Sequence, residues 1–134
     1  SSEAPGRGQV VLTTAPGEQH TLGLHLVGEF LRRAGWGVTM EPSCHEAILM
    51  EMVADQPVDV VGFTVSSPER LPALADLIAR LRVATQNPDL VLMVGGPLDP
   101  ALLAAFGDQH GVVICSTDAR EAVDCLEERS LRLV

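Results

Sequence analysis

QVVLTTAPGEQHTLGLHLVGEFLRRAGWGVTME, residues 9–41, is the stretch that decides the fold. QVVLTT (9–14) is an apolar, β-branched run and reads as a strand, ended by a loop at Pro16 and Gly17. From His20 to Ala34 apolar residues return at helical spacing. Leu22, Leu26, Phe30 and Ala34 are expected on one buried face. Gly35 stops this helix and GVTME (37–41) follows as a second strand. A strand, a helix and a second strand in so short a span make the unit of a parallel sheet.

The pattern repeats outward from there. Ser43 and Glu46 have the spacing of a capping box, which would open a helix to about Gln56. VDVVGFTVS (58–66) is apolar on both faces, as a central parallel strand is. Pro68 starts a third helix to about Thr85. DLVLMVGG (89–96) is the fourth strand, 100–106 a short helix and GVVICS (111–116) the fifth strand. Asp118 with Glu121 caps a last helix to about Arg129. The prediction is an α/β fold, a doubly wound five-stranded parallel sheet of flavodoxin-like type with strand order 2-1-3-4-5. Residues 9–134 read as one domain. SSEAPGRG (1–8) is small, polar and glycine-rich, and reads as a linker or a cloning remnant, as expected of a domain cut from a longer chain.

Composition removes several functions. Apolar residues make up 46% of the chain, too many for disorder. The net charge of −9 disfavours nucleic acid and anionic membranes as partners. All nine basic residues are arginines, so Schiff-base chemistry, a Walker phosphate loop and a phosphoryl-accepting receiver all lose an essential lysine. Cys44, Cys115 and Cys125 fit no zinc or disulfide spacing and read as reduced thiols. No apolar run is long enough to span a bilayer, and a cytoplasmic protein is expected.

In such sheets ligands bind at the carboxyl ends of the strands, near the switch between strands 1 and 3. The segments there are 15–20, 64–69, 95–99 and 116–118, which puts His20 on that rim. His110 falls on the opposite rim, and His25 and His45 at solvated positions. The common tenants of the fold do not fit. TTAPGEQH lacks the Gly-x-Gly-x-x-Gly of a dinucleotide site. With no tyrosine, one tryptophan and three phenylalanines, none in a rim loop, the sandwich of a flavodoxin cofactor is missing. Ser66 or Ser67 could meet His20, but no Gly-x-Ser-x-Gly elbow presents them.

GEQHTLG resembles the corrinoid-binding pattern Asp-x-His-x-x-Gly, with Glu18 in the aspartate position, His20 as the histidine and Gly23 as the glycine. Thr64-Val65-Ser66 aligns with the family's Ser-x-Leu marker, and Gly95-Gly96 with its Gly-Gly. The three motifs, in order over residues 9 to 128, are similar to the cobalamin-binding fold. Within it, the sequence resembles the heme-binding variant (the SCHIC domain) of the AppA antirepressor, and the related cobalamin-associated AerR and PpaA regulators. Val65 stands where the family often has Gly or Ala, and Ser66 where it has an apolar residue, so a narrowed slot and a tailless tetrapyrrole are expected.

The resemblance implies a non-catalytic heme-binding sensor in a light- or redox-responsive antirepressor. His20 would be the metal ligand, with Glu18, Gly23, Thr64, Ser66, Gly95 and Gly96 around the cofactor and a PpsR-like repressor protein as partner. Met40, Cys44 and His45 are the nearest candidates for a second axial donor, and Arg70 for a propionate. The alternatives are a cobalamin photosensor, a corrinoid carrier for a methyltransferase or mutase, and a scaffold that binds no ligand.

Overall fold

The computed structural model describes residues 6–115 and 119–132, with side chains of the last helix through Glu128. Five parallel strands form one sheet in the order β2-β1-β3-β4-β5. They are β1 (Gln9–Thr14), β2 (Gly37–Glu41), β3 (Val60–Thr64), β4 (Val91–Gly95) and β5 (Val113–Ile114). Helices α1 (Leu22–Arg33) and α5 (Ala119–Arg132) pack on one face, and α2 (Glu46–Asp55), α3 (Leu71–Ala84) and α4 (Pro100–His110) on the other. Fold class and strand order are those expected from the sequence. The Asp118 cap, the rim segment 116–118 and most of the 1–8 linker lie outside the described residues.

The pleat sorts side chains between two cores. Val10, Leu12, Val60 and Met93 face α1 and α5, with Leu24, Leu31 and Trp36. Val11, Val61, Phe63, Leu92 and Val94 face α2, α3 and α4. This alternation between two apolar layers is why strands 1, 3 and 4 read as nearly continuous hydrophobic runs. Beyond Thr64 and Ile114 the ladders continue as single bonds, Val65 N–H to Gly95 O at 2.9 Å and Cys115 N–H to Val94 O at 3.0 Å. The third, fourth and fifth strands are therefore shorter than their apolar runs.

Three helix starts differ from expectation, the simplest being that Pro68 opens a 3-10 turn (Pro68–Arg70) and α3 follows it at Leu71. α1 begins at Leu22, and its buried stripe is Leu24, Gly28 and Leu31, with Val27 half-buried beside them. Leu22 is 75% exposed and Leu26 49% exposed. A four-residue step overshoots a full turn by about 40°, so a strict i, i+4, i+8 series winds off the core face. The mixed i, i+3, i+4, i+7 spacing stays on it. Gly28 lets α1 down onto the sheet, since a Cβ there would lie 2.6 Å from Met40 Cε.

The Ser43–Glu46 box does not form. α2 starts at Glu46 after His45, which makes no side-chain cap bond, and the Glu46 carboxylate pairs with Arg80 of α3. α4 runs past 106 to His110, and Asp99 caps its start by accepting from Ala101 N–H at 3.0 Å. His110 lies at the rim away from the strand ends, its ring against Phe106. His25 and His45 are exposed, as expected.

Candidate functional site

The loop after β1 is a tight turn built by its own sequence. Glu18 N–H bonds Ala15 O at 2.9 Å, and Gly17 has φ +82. Proline at the second turn position and a glycine of positive φ at the third are the demands of a type II turn. The turn leaves Glu18 buried (6% exposed) and the His20 side chain in the open (84% exposed). His20 sits just before α1, whose first cap residue is Thr21.

Glu18 is the hub of the site. Its Oε1 accepts the Ser66 backbone N–H at 2.6 Å, and its Oε2 accepts the Ser66 hydroxyl at 2.7 Å. Oε2 also lies 2.9 Å from His20 Nδ1 and accepts the backbone N–H groups of Gln19 and His20 at 3.2 Å. Ser66 Oγ is 3.1 Å from the same ring nitrogen. Burial alone would raise the Glu18 pKa. The hydrogen bonds from the Ser66 hydroxyl, the His20 ring and the two backbone N–H groups outweigh it and hold the carboxyl at about 2. An ionised acceptor at Nδ1 keeps the proton on that nitrogen. In neutral His20 the lone pair is therefore on Nε2, the arrangement of an imidazole prepared to bind a metal.

His20 stands at the mouth of a cavity of about 460 Å³ on the α1/α5 face of the sheet. That volume falls within the usual range of small-molecule sites, roughly 300–1,000 Å³. Gly23, Thr64, Ser66, Gly95 and Gly96 line it with His20, and Glu18 lies behind the ring. The structure thus brings together all seven residues singled out in the sequence. Met40, Cys44, His45 and Arg70 do not line the cavity. Arg70 packs beside Gly17, and Cys44 is half-buried on the far side, its thiol pushed up to about 11 by burial and by the Glu46 charge.

The narrowing expected at Val65 does not occur. Val65 is fully buried in the core under α2, α3 and α4, on the opposite face of the sheet. The period-2 alternation of the strand turns Gly62, Thr64 and Ser66 toward the cavity instead. Gly96 (φ +142) is fixed by the backbone, because a Cβ there would overlap the Val65 carbonyl oxygen. Gly23 has no such reason: a Cβ on it would meet nothing within 4 Å, so its absence keeps cavity space open.

Sequence reasoning missed the interior of the cavity. Leu12, Gly62 and Met93 form its floor, Leu24 and Val27 one wall, and Cys115 and Ala122 the other. The signal available was Gly62, a residue without side chain in the middle of an otherwise bulky central strand.

The sequence pattern of the family described as B12 binding domain matches residues 8–124. A cobalamin-binding protein from Desulfitobacterium hafniense is similar in structure, with a TM-score of 0.78 and 21% identity over 92% of this chain. The monomethylamine corrinoid protein of Methanosarcina barkeri gives 0.77 and 19% over 92%. The chain spans 59% and 58% of those two proteins. The methanol:cobalamin methyltransferase complex of the same organism gives 0.72 and 18%, with 98% of this chain and 48% of that one covered. No curated protein sequence matches the chain.

Proposed function

The chain belongs to the B12-binding domain family, and on that premise we propose that it is a non-catalytic cobalamin-binding module. His20 Nε2 would be the protein's ligand to cobalt, and the cavity between α1, α5 and the sheet would hold the nucleotide tail. One arrangement carries this reading: an imidazole oriented through Glu18 and Ser66 at the mouth of an open, largely apolar cavity. Among the described residues no cluster of three or more His, Cys, Asp or Glu side chains could hold a bare metal ion. A single oriented imidazole suits a metal whose other positions a macrocycle fills.

The residues fit the group. Gly23 keeps the cavity mouth clear, Gly62 deepens the floor, and Gly95 and Gly96 bring backbone rather than side chains to the rim. Bound cobalamin would supply a cobalt centre whose reactivity depends on its axial ligand. Glu18 and Ser66 set the orientation and basicity of that ligand. A heme has no nucleotide tail to place in this cavity. With Val65 on the far face, the case for a tailless tetrapyrrole falls back on the resemblance to the SCHIC variant. The regulatory role, through a repressor protein and without catalysis by this domain, rests on the resemblance of the sequence to the SCHIC variant and the AerR and PpaA regulators.

The test is an absorption titration with hydroxocobalamin and, separately, with hemin, each repeated on His20→Ala. A saturable spectral shift with cobalamin that His20→Ala abolishes is expected. Saturation with hemin alone would return the site to the heme sensor, and saturation with neither would refute the cofactor reading.

A further inference from the structure

Two of the three cysteines, Cys115 and Cys125, lie on the cavity side of the sheet, while Cys44 packs in the opposite core. Val113 and Ile114 pair with Met93 and Val94, which sets Cys115 level with Gly95 at the strand ends. Cys115 lines the cavity and is 5% exposed. Cys125 stands on α5 three residues after Ala122, another residue of the cavity wall. Residues three apart share a side of a helix, and Cys125 is half-buried against the same core as Cys115.

The two thiols are in hydrogen-bond contact. Burial pushes the Cys115 thiol up and Cys125 pushes it further, so Cys115 stays protonated. Cys125 is the less buried of the two and the one that solvent reaches. An outer thiol that meets the oxidant beside an inner thiol that resolves the product is the arrangement of an oxidisable pair.

We propose that hydrogen peroxide closes Cys115 and Cys125 to a reversible disulfide in the cavity wall, and that closure weakens cofactor binding. The second half rests on the cobalamin reading above. The Cys125 thiolate attacks one peroxide oxygen, the O–O bond breaks, and the leaving hydroxide takes up a proton to become water. The Cys115 thiol then attacks the sulfur of the Cys125 sulfenic acid and a second water leaves. Two thiols are oxidised and one peroxide is reduced to two waters. The sulfurs must close from hydrogen-bond contact to about 2 Å. That draws α5 onto the end of β5, and the wall made by Cys115 and Ala122 narrows the space beside Gly95.

Trypsin separates the three cysteines, since arginines place Cys44 in peptide 34–70, Cys115 in 83–120 and Cys125 in 121–129. The reduced chain is treated with a small excess of hydrogen peroxide, desalted, alkylated and digested. Peptides 83–120 and 121–129 should emerge joined, and parted by a dithiol, with Cys44 alkylated. Unalkylated oxidised protein should bind hydroxocobalamin several-fold more weakly than reduced protein. Cys125→Ser, checked for folding by its thermal transition, should bind like the reduced protein with or without peroxide. Absence of the joined peptides, or Cys125 oxidised to a sulfinic acid in their place, overturns the pair. Joined peptides with equal affinity in the two states overturn the effect on binding and leave the cobalamin reading intact. If neither state binds hydroxocobalamin, the cofactor reading is refuted and that effect with it, while the joined peptides still decide the pair.

Discussion

Glu18→Gln, followed as a function of pH, isolates what the buried carboxylate does for the fold. The carboxyl is held at about 2 instead of its ordinary 4.5 by hydrogen bonds from Ser66 and His20 that overcome its burial. At 1.36 kcal/mol per pH unit, ionised Glu18 contributes about 3 kcal/mol at neutral pH. The folded-state pKa is depressed, so this stability is fully present above about 4.5 and is lost as pH falls toward about 2. That is a large share of the roughly 5–15 kcal/mol that holds a domain of this size together. Urea unfolding of native protein and Glu18→Gln should be measured at intervals from pH 7 down to pH 2.5. The other carboxylates titrate in both proteins, so the difference between the two curves belongs to Glu18. Native protein should be more stable by about 3 kcal/mol at pH 7, with the gap closing below pH 4.5 as the native carboxyl takes up its proton. Parallel curves over the whole range would refute the hydrogen-bonding account of this residue.

Ser66→Ala keeps the backbone N–H bond to Glu18 but loses the hydroxyl bond. It should destabilise the protein by roughly 1–2 kcal/mol and weaken cobalamin binding about tenfold, read by chemical unfolding and titration. Gly23→Ala meets nothing within 4 Å and should raise stability by about 0.5–1 kcal/mol while weakening cobalamin binding. A variant that is both more stable and equally tight would remove Gly23 from the site. Val65→Ala should cost roughly 1.5–3 kcal/mol from the α2–α4 core with no gain in cobalamin affinity. Tighter binding by that variant would return Val65 to the cavity wall.

The frame of the molecule was open to reading because its signals are local. β1 and β2 have the boundaries that their apolar runs and Gly35 mark, and alternation of strand with helix leaves little freedom in strand order. The Glu18–His20 pairing was legible too, since the two residues stand only two apart where the chain leaves the type II turn. What failed depends on direction rather than identity. The pleat decides that Val65 faces away from the cavity and Ser66 toward Glu18, and alternation from Gly62 contained that information. On α1, Leu22 and Leu26 were placed in the core by a four-residue repeat that does not follow one face. The Ser43–Glu46 box lost to a tertiary partner, Arg80, that lies thirty-four residues beyond Glu46 and leaves no local trace. Ala122 reaches the cavity only through the docking of α5 beside α1, a long-range contact that no motif announces.

The central claim is that the His20 ring binds cobalt. The direct measurement is the electron paramagnetic resonance spectrum of cob(II)alamin bound to protein labelled with ¹⁵N in histidine alone. Ordinary nitrogen in the axial position splits each cobalt line into three, and ¹⁵N splits it into two. Histidine ligation predicts two lines in the labelled native protein and loss of the pattern in His20→Ala. Three lines in the labelled protein would show the cofactor's own base on the cobalt, and would contradict the account.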